Sequence, residues 1–155
     1  MVGLTCALGA VLTSSARPFA GRGNCGPVLC IRSERGWFSS VGPGVVNARA
    51  AAWVLVGNFW FPADAAGHEG GPSVPRGKVL LAFSDFPVVG TYAHWRRVTH
   101  LRIPSKHPTT KRLVAWHVRF AGRAVFIEVR FGSRPSFRMW RLANSKLETV
   151  HRKQR

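Results

Sequence analysis

Acidic residues are what this sequence has least of: six Asp and Glu among 155 residues, against 23 Lys and Arg. Glu34, Asp64, Glu69, Asp85, Glu128 and Glu148 lie far apart in the chain, which leaves paired-carboxylate catalysis little to work with. Neither an HExxH helix motif nor a GxSxG nucleophile elbow occurs. The segment Gly71-Pro-Ser-Val-Pro-Arg-Gly77-Lys78 superficially resembles a phosphate-binding loop. It is one residue too long, has Val79 where Ser or Thr should hold magnesium, and leads into a strand pattern instead of a helix. The expectation is a chain that is not an enzyme and carries no cofactor.

Long apolar runs are missing as well. The most apolar stretch, residues 48–61, ends at Pro62 and falls short of the roughly twenty residues a membrane helix needs. Cysteine is scarce and odd in number: Cys6, Cys25 and Cys30, all in the first thirty residues. No disulfide framework follows from that count. No fourth ligand stands near Cys25 and Cys30 to complete a metal site. These cysteines read as small apolar residues of a poorly structured leader.

What is abundant is positive charge, formally +17, which makes polyanions the natural partners. It is unevenly placed. Residues 1–95 carry 7 basic and 4 acidic residues, net +3, and residues 96–155 carry 16 and 2, net +14. Arg outnumbers Lys 18 to 5 and Trp outnumbers Tyr 6 to 1, a bias that GC-rich DNA produces in almost any reading frame. A reading-frame product without selected activity is therefore an alternative to a binding protein.

The clearest local pattern runs from Leu113 to Leu142. Residues 113–120 put Val114, Trp116, Val118 and Phe120 on one face and His117 and Arg119 on the other, the period of a half-buried strand. Residues 124–131 repeat it with Val125, Ile127, Val129 and Phe131 against Phe126, Glu128 and Arg130. Ala121-Gly122-Arg123 between them predicts a hairpin. Phe137 to Leu142 continues the alternation and predicts a third strand after the turn at Gly132–Ser136. A three-stranded meander with one apolar face needs a cover, and the buried strand predicted at residues 53–61 is a candidate for it. Residues 78–84 and 88–95 predict two further strands around the Asp85-Phe86-Pro87 turn. Ser145 and Glu148 have the spacing of a capping box and predict a short basic helix at the C-terminus.

The first forty residues divide differently. Residues 1–16 hold no charge and are of signal-peptide character, but they lack a positive n-region. Residues 17–40 are Arg-rich and acid-poor, as mitochondrial import sequences are, and Arg35-Gly36-Trp37-Phe38-Ser39-Ser40 looks like the end of one. An imported ribonucleoprotein component is thus another alternative.

The reading that emerges is a mostly β chain. A disordered leader spans residues 1–47 and a small antiparallel domain spans residues 48–142, with its sheet from about residue 53. The short basic tail is residues 143–155. Its expected partner is RNA or another polyanion, and no protein partner can be named. Arg119, Arg130 and Arg138 are expected side by side on the polar face, with Phe126 among them and Arg123 and Arg134 at the turns. Arg96 and Arg97 belong to a basic loop, residues 96–112, that leads into the hairpin. Guanidinium groups beside an aromatic suit phosphates and a stacked base. The plain alternative is that these arginines only solvate an outer face, with Phe126 packed under another segment.

Overall fold

The computed structural model describes residues 24–46, 49–67, 71–105 and 111–154. Its strands are β1 (Asn24–Cys25), β2 (Leu29–Ile31), β3 (Phe38–Val46), β4 (Arg49–Gly57), β5 (Val79–Pro87), β6 (Leu113–Phe120), β7 (Arg123–Phe131) and β8 (His151–Arg152). One α-helix, α1 (Phe137–Leu147), and two 3-10 helices, Ala65–Gly67 and Gly90–His94, complete the described elements. β3-β4-β5-β7-β6 form an antiparallel five-stranded sheet, and β1-β2-β8 form a smaller antiparallel one. The described residues are mostly β, with one short α-helix near the C-terminus.

The β6–β7 hairpin lies where the alternation predicts it. Phe120 pairs with Arg123, so the loop is only Ala121 and Gly122, both at positive φ (50° and 77°). Two left-handed residues give the primed turn whose twist matches the flanking strands. The predicted inner face is also observed, with Val125, Ile127, Val129 and Phe131 buried in the main core.

That face is covered by α1, with Leu29, Ile31, Leu101, Ile103 and Val150 around it. Residues 53–61 do not lie over the meander. Their strand, β4, sits two places along in the same sheet, separated from β7 by β5. β5 is buried from Val79 to Phe86 because both sides of the sheet are covered there. Leu80 and Ala82 pack beneath Phe59, Phe61, Ala65 and Ala66 on the outer side.

Three other expectations change. Residues 137–142 are helical, not a third strand. Phe137 is exposed while Met139 is buried, which a shared strand face would not allow, and the buried set Met139, Ala143, Lys146 and Leu147 has the i, i+4, i+7, i+8 spacing of a helix. Ser136 is the N-cap and accepts a hydrogen bond from the Met139 N–H at 3.3 Å. Ser145 lies inside this helix and Glu148 is its C-cap, so the predicted capping box marks the end of a helix. Residues 88–95 form no strand. Gly90 turns to φ 52° and starts the 3-10 helix that drops Tyr92 onto Phe86, ring centroids 5.4 Å apart.

Ordered structure also begins earlier than residue 48. Leu29 and Ile31 are fully buried, and β2 pairs with β8 from the far end of the chain. Cys25 and Cys30 face each other in the β1–β2 register and form a disulfide, contrary to the reading of unpaired apolar cysteines. Lys146 ties α1 to the same region. Its buried ammonium donates to the Arg32 carbonyl at 2.5 Å, lies 3.3 Å from a Glu34 carboxylate oxygen and sits 4.9 Å from the Trp37 ring centroid. Burial holds this lysine below its ordinary range, an effect that Glu34 partly opposes. An import sequence ending near Ser40 would take these partners with it. The part of the expected leader in residues 1–23 lies outside the described residues.

Candidate nucleic-acid interface

Odd-numbered residues of β6 face away from α1, so His117 and Arg119 lie on the outer side of the sheet, with His117 paired to Phe126 on β7. Successive residues on one face of a strand are about 7 Å apart. The loop before β6 is fastened beside them. The Arg119 N–H donates to the Arg96 carbonyl at 2.8 Å and the Val98 N–H donates to the Arg119 carbonyl at 2.9 Å. This parallel bridge sets Arg97 against Arg119. The Arg119 guanidinium donates to the Ala93 carbonyl at 2.8 Å and so braces the end of the 3-10 helix. Arg96 and Arg97 are both exposed.

Aromatic rings fill the space next to this bridge. Trp95 lies 4.3 Å from the His117 ring at 35° and 4.8 Å from Tyr92. Tyr92 in turn rests on Phe86. Phe126 is half-buried and meets Trp53 edge to face at 5.8 Å. It therefore forms part of a packed wall, with less of its ring open than a stacking platform would offer.

The eight arginine and phenylalanine positions proposed from sequence thus separate. Arg96, Arg97, Arg119 and Phe126 come together near the hairpin tip. Arg130 is paired with Leu113 at the other end of the hairpin, six residue steps or about 20 Å along the strand from Arg119's partner Ala124. There it holds Glu128 at 2.9 Å. Arg123 is on the inner side, where its Nε donates to the buried Asp85 carboxylate at 3.0 Å. Arg134 occupies the β7–α1 loop at φ 58°. Arg138 is an exposed residue of α1, on the opposite side of the sheet from Arg119. A single row of arginines across neighbouring strands is not formed.

His117 and Trp95 are the additions that sequence reasoning missed. Alternation puts His117 on the right face, but nothing in the chain signals that a tryptophan 22 positions earlier stacks on it.

The local charge is one-sided. Glu34, Asp85, Glu128 and Glu148 pair with Lys146, Arg123, Arg130 and Arg102, and none of these four pairs involves Arg96, Arg97 or Arg119. A cleft of about 550 Å³ lies elsewhere, walled by Pro27, Pro43 and Pro87, with Asp85 and Arg123 its only charged lining residues. Among the described residues, no three His, Cys, Asp or Glu side chains gather as metal ligands would, and no helix is long and apolar enough to cross a membrane. Comparison with protein-family models, curated proteins and solved structures finds no match.

Proposed function

We propose that this chain binds a polyanion, RNA being the best fit, and catalyses no reaction, with Arg96, Arg97 and Arg119 as the contact residues. The observation that supports this reading is the bridge between residues 96–98 and Arg119. It holds two exposed arginines in fixed backbone geometry beside a third, with aromatic rings alongside. Arg152 and Lys153 are also held by backbone pairing, in β8 and through the Lys153 N–H to the Val28 carbonyl, so the aromatic rings alongside are what sets the first group apart.

Any chain of +17 binds nucleic acid at low salt through counterion release, so the test has to separate a site from bulk charge. An Arg96→Ala/Arg97→Ala double variant and an Arg152→Ala/Lys153→Ala double variant remove equal charge, the second from the exposed C-terminal end. The expected result is that only the first pair weakens binding near physiological salt. Its log–log salt slope should also flatten by about 0.7 for each single-strand phosphate that the variant no longer neutralises. Equally weakened binding by the two doubles would leave a basic surface with no site on it.

A further inference from the structure

Resting on that polyanion reading, we infer that the Trp95–His117 ring pair seats one base of a single-stranded nucleic acid, while Arg119 and Arg97 take the adjoining phosphates. The imidazole is exposed on the outer face of β6, and the indole it contacts is half-buried. Trp95 does not depend on His117 for its position. Tyr92 touches it at 4.8 Å and Phe86 lies 6.4 Å away, edge-on. The platform is therefore held in place before a ligand arrives, which limits the ordering that binding requires.

Chemistry narrows the ligand. Every base has a π-face, so stacking on an aromatic ring suits any sequence, but only where the base is not already stacked inside a duplex. A sulfated or phosphorylated polymer without bases gains nothing from these rings. His117 and Arg119 are two residues apart on one strand face, about 7 Å, a separation one nucleotide covers between base and phosphate. Phe126, opposite His117 in the register, closes one side of the seat and contributes packing more than stacking.

Three probes distinguish the possibilities: an oligouridine of about twelve nucleotides, an RNA duplex of similar length, and heparin. His117→Ala is expected to lower oligouridine affinity by about five- to a hundredfold, leaving duplex and heparin binding unchanged. His117→Phe, which keeps a ring without the imidazole nitrogens, should restore oligouridine binding. His117→Lys, which offers a cation without a ring, should not. Because His117 is exposed, unchanged thermal unfolding of these variants checks that the fold is intact. If His117→Ala weakens all three probes alike or none of them, or if Lys rescues as well as Phe, the base seat is wrong. The charge-matched Arg96/Arg97 comparison stays valid in that event. If no probe binds native protein near physiological salt, the polyanion reading falls with it.

Discussion

Gly132→Ala should destabilise the fold by about 3 kcal/mol or more. Gly132 is buried where the end of β7 passes the turn that precedes β5, and its N–H donates to the Lys78 carbonyl at 3.0 Å. A Cβ placed on it would lie 1.8 Å from the Pro75 carbonyl oxygen, 2.6 Å from the Pro75 carbonyl carbon and 3.1 Å from Arg76 Cα. All three neighbours are backbone, and the Lys78 N–H donates to that same Pro75 oxygen at 3.1 Å. Relief would require moving the turn at Pro75–Lys78 away from the end of β7, which breaks the hydrogen bond between the Gly132 N–H and the Lys78 carbonyl. The cost lies at or above the upper end of the roughly 1–3 kcal/mol typical of overpacking, in a domain whose whole stability is of order 5–15 kcal/mol. The expected outcome is a urea midpoint far below that of the native chain. Gly122→Ala is the useful contrast. Its Cβ would meet nothing within 4 Å, and the penalty is confined to a φ of 77°, about 1–2 kcal/mol. Equal urea midpoints for the two variants would mean that the close approach at Gly132 is wrong.

Phe83→Ala should cost about 3–5 kcal/mol. Phe83 is 1% exposed on the central strand and belongs to the core shared by the sheet and α1. Truncation there removes apolar burial and leaves a cavity that paired strands on both sides prevent from collapsing. Leu113→Ala, at a residue 49% exposed on edge strand β6, should stay within about 0.5 kcal/mol. Denaturant unfolding of the two variants reads the difference directly. Similar midpoints would place the core elsewhere.

These positions also mark how far the sequence carries. The β6–β7 hairpin is legible because each strand alternates cleanly and the turn offers Ala-Gly, so local pattern and tertiary burial agree. β3 is not legible. Gly42-Pro43-Gly44 punctuates it like a loop, and Pro is tolerated there because β3 is an edge strand. The segment around Leu29 and Ile31 is hidden by its Arg, Gly and Cys content. Its strands are two and three residues long and are stabilised by a disulfide, by β8 and by core packing that no local window contains.

The candidate site is half legible for a related reason. Alternation assigns Arg119 and Phe126 to the outer face, but the separation of Arg119 from Arg130 depends on register. The removal of Arg138 to the opposite side depends on a helix that looks like a strand over six residues. The approach of Arg96 and Arg97 to Arg119 is a long-range backbone bridge. No propensity predicts it.

Amide chemical-shift mapping of the native chain with the same oligouridine, near physiological salt, tests the proposed location of binding most directly. Perturbations should concentrate at Trp95 to Val98 and at Ala115 to Arg119, with α1 and its exposed Arg138 and Arg141 unaffected. Shifts spread evenly over every basic surface, or centred on α1, would contradict a site at the hairpin tip.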